Sequence, residues 1–155
     1  MNNLTKGLAA LSASGLLLIA MNEGFSPTPY KDTGGVVTNG FGNASINPQK
    51  SVTVVEALTD LQENTQKVGQ SVQKCLTAQV TQGQYDAYVS FAYNVGVGAF
   101  CKSTMAKKAN MGDRYGSCAE FDKWVYVAGK DCKIKANNCG GIVKRREQEK
   151  ALCLS

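Results

Sequence analysis

The sequence predicts an α+β chain: a small antiparallel sheet lobe joined by one long helix to a mainly helical lobe. Three observations carry this. Residues 30–41 mix β-branched residues with glycines, the composition of short strands and turns. Residues 53–72 carry a one-sided apolar stripe opened by a T-x-x-E cap. From Cys75 onward the pattern is helical, broken at glycines. The expected divisions within one domain are a sheet lobe over about residues 20–52, a linker helix over 53–74, and a helical lobe over 75–155 that also receives an N-terminal helix.

Residues 6–22 hold one lysine and an otherwise uncharged run ending at Glu23. A membrane span needs about 20 apolar residues, and this run is short and rich in Ser, Ala and Gly. A cleaved signal peptide would place its cut beside Glu23. The reading preferred is a buried helix with Leu4, Leu8, Leu11 and Leu18 near one face and Leu16 and Ile19 beside it. A segment that enters the membrane and later leaves it stays open as the rival. Glu23 then closes the helix, with Gly24 as its cap and Pro27 and Pro29 preventing continuation. A carboxylate there meets the negative pole of the helix dipole, a setting suited to a proton donor.

Two or three short strands are expected over residues 30–41, with Gly34 and Gly35 at a turn and an exit at Asn47 and Pro48. In the long helix, Val54, Leu58, Leu61, Val68 and Val72 form the stripe. Tyr85, Tyr88, Ala92 and Val95 keep helical spacing until the glycines at 96 and 98. Short helices are expected over residues 103–110 and 117–127, the latter holding Trp124. A loop then spans residues 129–141, and a helix with a charged face closes the chain over 142–154.

Composition excludes several chemistries. The chain has no histidine, which removes Ser-His and Cys-His nucleophilic catalysis and most zinc hydrolases. Carboxylates, lysines and tyrosines remain for acid–base work. No metal or cofactor is called for. The net charge of +5 suits a polyanionic partner, but Lys144, Arg145 and Arg146 are the only basic run and lack interleaved aromatics. That run reads as the solvated face of the last helix, and no nucleic-acid partner is expected.

Residues 23–43, EGFSPTPYKDTGGVVTNGFGN, are the candidate site. Glu23 ends a helix, Asp32 lies in a glycine-rich turn and Thr38 sits on a following strand. Two carboxylates in different environments are what glycosidic cleavage needs: one protonates the leaving oxygen, the other activates water. Glycines at 34, 35, 40 and 42 leave room for a sugar chain near the backbone.

This stretch resembles the active-site signature of the phage-type lysozymes, glycoside hydrolase family 24. The family spaces its glutamate, aspartate and threonine as Glu23, Asp32 and Thr38 are spaced here. QYDAYVSFAYNVG from position 84, FCKST from 100, Trp124 and GIVKRRE from 141 resemble the same family in the same order. The resemblance implies a lysozyme-like two-lobed fold with its site in the cleft. It implies a muramidase cutting the β-1,4 bond between N-acetylmuramic acid and N-acetylglucosamine in peptidoglycan, with inversion and carboxyls about 6.5–9.5 Å apart. Glu23 is then the general acid, Asp32 positions or activates water, and Thr38 helps hold it. Substrate contacts carry over to Tyr93, Ser103, Asn94 and Ala44. Relatives commonly have histidine where Asn43 stands, an aromatic residue at Val37 and an apolar one at Asn39; some have cysteine at Asp32. A catalytically inactive peptidoglycan-binding module on the same fold is the alternative.

The six cysteines, Cys75, Cys101, Cys118, Cys132, Cys139 and Cys153, form no C-x-x-C pair. Their even number suggests disulfides and an oxidising compartment; buried thiols are the alternative. Spacing cannot choose a pairing; the expectation taken is Cys75–Cys153, Cys101–Cys118 and Cys132–Cys139. The chain is expected to act as a monomer on the bacterial wall or in the periplasm, released through another protein's pore or by a signal-anchor-release N-terminus with transient membrane contact.

Overall fold

A computed structural model describes residues 10–31, 35–42 and 51–155, and the backbone of residues 3–4. It is α+β, mostly helical with small antiparallel sheets. Asp32, Gly34, Asn43, Ala44, Asn47 and Pro48 lie outside the described residues.

The first described element is β1 (Asn3–Leu4), and α1 runs over Ala13–Glu23. Ser12 sets that start. Its hydroxyl accepts from the Gly15 N–H, while its own N–H and O–H donate to the buried Asp86 carboxylate. The expectation that Leu4 belongs to the helix is therefore corrected: Leu4 pairs with Val80 in an antiparallel bridge. Ile19 and Ala20 are buried, Leu16 and Leu18 half-buried, and Leu17 and Met21 face outward. No helix among the described residues is long and apolar enough to cross a membrane.

Next come β2 (Ser26–Lys31) and β3 (Val37–Gly40), antiparallel, with Tyr30 opposite Thr38 and an irregularity between Ser26 and Tyr30. The first strand starts before the expected boundary and contains Pro27 and Pro29. Prolines fit an edge strand, where a missing N–H breaks no ladder. The Pro27 carbonyl instead accepts from the Val52 N–H.

Helix α2 (Val54–Cys75) begins with the expected capping box: Thr53 and Glu56 satisfy each other's backbone N–H. Its buried face is Ala57, Leu61, Thr65, Gly69 and Val72. The expected stripe is thus partly wrong, since Val54 and Leu58 are exposed. Small residues make the face because β3 and α3 come close: a methyl at Gly40 would sit 3.0 Å from the Ala57 Cβ.

β4 (Val80–Thr81) pairs with β1, and α3 (Gln82–Val95) follows behind a second capping box, Thr81 with Gln84. Residues 84–92 of α3 are all buried, so it is the central helix, packed by α1, α2 and the last helix. Phe91 meets Phe100, Phe121 and Trp124 edge-on. Gly96 ends α3 at φ 98° and leads into α4 (Val97–Lys102), a helix the sequence did not reveal. α5 (Thr104–Asn110) is close to the expected helix. The expected helix over residues 117–127 is instead α6 (Arg114–Ala119), a 3-10 turn (Glu120–Lys123) and a hairpin of β5 (Tyr126–Val127) and β6 (Lys130–Asp131). Asp113 starts α6 early by capping it, and Trp124 lies beyond the helix. α7 (Gly140–Leu154) closes the chain.

The disulfides are Cys75–Cys101, Cys118–Cys153 and Cys132–Cys139. The last is the expected one. The other two correct the expected pairing. The end of α2 abuts α4, with Cα atoms of Cys75 and Cys101 5.5 Å apart, while α6 abuts α7, with Cys118 and Cys153 at 5.7 Å. Cα atoms at those separations can be bridged without backbone movement.

Candidate active site

Glu23 is the last residue of α1, and Gly24 turns the chain away at φ 69°. Its carboxylate is partly exposed and meets two elements distant in sequence. Arg145 of α7 donates from Nη1 to Oε1 at 3.0 Å. On the other side the chain leaves β3 at Gly42, where an added Cβ would stand 3.7 Å from Glu23 Oε2. Phe25 and Phe41 pack with centroids 5.4 Å apart and hold the start of β2 against that exit.

Thr38 lies within β3, 2 % exposed, and its hydroxyl has no hydrogen-bond partner among the described residues. A buried hydroxyl without a partner costs about 1–3 kcal/mol, so among the described residues nothing offsets the burial of this one. Asp32 and Ala44 lie outside the described residues.

Tyr93 of α3 is half-buried beside this centre. Burial, and then the Glu23 charge, push its phenol above the ordinary value, while Arg145 pulls it back. Asn94 is exposed and accepts from Arg146 Nη2. It lines a groove of about 620 Å³ with Val95, Trp124, Tyr126 and Arg146. Ser103 is buried; its hydroxyl caps α5, accepting from the Ala106 N–H at 3.1 Å and donating to the Phe100 carbonyl at 2.6 Å. Tyr93 therefore stands by Glu23, Asn94 opens on the adjoining groove, and Ser103 is engaged in a helix cap.

The largest departure from the sequence reading is the basic run of α7. Lys144 is exposed, but Arg145 and Arg146 are buried at 5 % and 2 % exposure, so they are not a solvated face. Glu149, fully buried, binds both. Its Oε1 accepts from Arg145 Nε at 3.1 Å and Ser90 Oγ at 2.7 Å, and its Oε2 from Arg146 Nη1 at 2.6 Å. A glutamate three and four residues after paired arginines was the available signal, because those spacings share a helix face.

A family model described as phage lysozyme matches residues 20–149. The chain belongs to the phage lysozyme family. The chain is 37% identical over 145 residues to the endolysin of Acyrthosiphon pisum secondary endosymbiont phage 1, covering 92% of this chain and 96% of that one. It is 34% identical over 134 residues to the SAR-endolysin of bacteriophage PS119, covering 85% of this chain and 76% of the relative. It spans about half the length of the matching endolysin of Bacillus phage PZA, 54%, at 37% identity. Among solved structures, the endolysin from Escherichia coli O157:H7 phage FAHEc1 superposes with a TM-score of 0.84 at 30% identity, over 97% of both chains. As a member of this family the chain is a glycoside hydrolase, an endolysin muramidase.

Proposed function

We propose that this endolysin cuts the β-1,4 bond between N-acetylmuramic acid and N-acetylglucosamine in peptidoglycan, with inversion, and so lyses the host cell from outside its cytoplasm. The supporting observation is the setting of Glu23: a carboxylate ending α1, held by Arg145 on one side and facing the exit of β3 on the other. In the proposed reaction Glu23 gives its proton to the leaving glycosidic oxygen. Water attacks the anomeric carbon from the opposite face, with Asp32 taking the proton and Thr38 holding the oxygen. The Thr38 hydroxyl, without a hydrogen-bond partner among the described residues, has the capacity this role requires. The sheet lobe and the helical lobe would form the two walls, with Tyr93 and Asn94 on the helical side.

The test is the clearing of purified peptidoglycan by wild type and Glu23→Gln, with the anomeric form of the product read by NMR. Wild-type clearing to the inverted anomer, lost in Glu23→Gln, is the expected result. Equal clearing by both removes Glu23 from the mechanism. Wall binding without clearing by the wild type converts the reading to a binding module.

The chain is proposed to work as a monomer. Its release would proceed either through another protein's pore or by an N-terminal segment that leaves the membrane. Both remain compatible with α1, which is uncharged until Glu23 yet packed on α2 and α3. Cell fractionation with and without residues 1–20 separates them: a releasable anchor places only the full chain with the membrane.

A further inference from the structure

We infer that Glu149 is a positioning residue for the catalytic centre, acting through Arg145 on Glu23; this rests on the muramidase reading above.

Arg145 uses its guanidinium in three directions. Nε donates to Glu149, Nη2 to the Ser90 carbonyl at 3.1 Å and Nη1 to Glu23. Three fixed donors leave the planar group no rotation, so the Glu23 carboxylate meets a rigid partner. That rigidity depends on Glu149. Arg145 and Arg146 are consecutive buried cations whose mutual repulsion needs an anion between them, and Glu149 accepts from both. Burial pulls the Arg146 guanidinium below its ordinary value and the Glu149 charge pushes it back.

The second arm of the same anion reaches the groove wall. Arg146 donates to Asn94 and to the Trp124 carbonyl at 2.9 Å, and stacks 4.9 Å from the Phe91 ring centre. One carboxylate therefore fixes both the partner of Glu23 and the frame of Asn94 and Trp124. Glu23 needs such help: it ends its helix, and the residue after it takes a left-handed turn. Catalytic groups must be held to about 0.5 Å.

The bland alternative is that Glu149 merely ties α7 to α3. Glu149→Gln separates the two, because glutamine keeps the shape but cannot neutralise two arginines. Turnover and KM are measured on soluble uncross-linked peptidoglycan strands, per folded enzyme. Tyr88→Phe, a buried hydroxyl bonded to Gln84 and Ser117, is the control for loss of core stability. Glu149→Gln should lose kcat roughly 10- to 100-fold with KM within about twofold, while Tyr88→Phe keeps both. Wild-type kcat in Glu149→Gln, or a loss matched by Tyr88→Phe, overturns the inference. Where Glu149→Gln does not fold, Arg145→Lys is judged by the same numbers, since a lysine cannot serve three acceptors in a plane. A crystal structure of the folded variant gives a readout independent of activity. Arg145 withdrawn from Glu23 supports positioning even if the wild type proves not to be a muramidase, and an Arg145–Glu23 pair unchanged at 3.0 Å sinks it.

Discussion

At the residue scale, a substitution at Thr38 tests stability and the proposed chemistry separately. Its hydroxyl is buried without a partner among the described residues, while its Cγ methyl fits a strand position opposite Tyr30. Valine keeps the branched shape and suits a strand. Thr38→Val should therefore leave the fold as stable or more stable by about 1 kcal/mol, while clearing of peptidoglycan falls. Urea unfolding beside the clearing assay checks both, and a variant that loses stability would mean the hydroxyl serves the fold. The sequence placed Glu23 at a helix end and Thr38 on a strand, because cap and turn chemistry is local; their roles came from the family resemblance and remain proposals. It did not make Arg145 and Glu149 readable, because paired arginines look solvated until the α3 face that buries them is known. Ser90, one donor to Glu149, lies 59 residues away in the chain.

At the scale of elements, what was legible followed hydrogen bonding, and what was missed followed packing. The Thr53 capping box started α2 where expected, since all its partners lie within four residues. The buried face of α2 was only partly legible: Leu61, Val68 and Val72 of the expected stripe turn inward, but Val54 and Leu58 are exposed, and Ala57, Thr65 and Gly69 are buried in their place. Gly69 is the sharpest case: a methyl there would run into the Tyr85 hydroxyl. Tyr85 cannot easily yield, being 2 % exposed. Alanine should gain up to about 1 kcal/mol of helix propensity, but overpacking costs about 1–3 kcal/mol. Gly69→Ala should thus destabilise by about 1–2 kcal/mol, and adding Tyr85→Phe should restore part of it by removing the obstructing oxygen. A double-mutant cycle in urea tests this; additive losses would show that the oxygen is not the obstacle.

At the scale of the molecule, α7 carries both the network around Glu149 and one end of a disulfide. Cys118 and Cys153 are fully buried and close 35 residues, whereas Cys132 and Cys139 close 7 within the loop before α7. In the chain-entropy model the longer closure contributes about 3–4 kcal/mol and the shorter about 2. The longer one also fixes the last turn of α7 on α6, so its loss frees the helix that presents Arg145. Replacing Cys118 and Cys153 by alanine should lower Tm on the order of 10 °C and reduce clearing near the new transition. The same replacement at Cys132 and Cys139 should cost less and leave clearing at 25 °C unchanged. Scanning calorimetry and clearing assays on the two double variants, each with and without reductant, measure this. Equal Tm losses would mean that loop closure does not set the stability of α7. Thermal resistance should therefore be highest in an oxidising compartment, because reduction releases the helix that holds Glu23 in place.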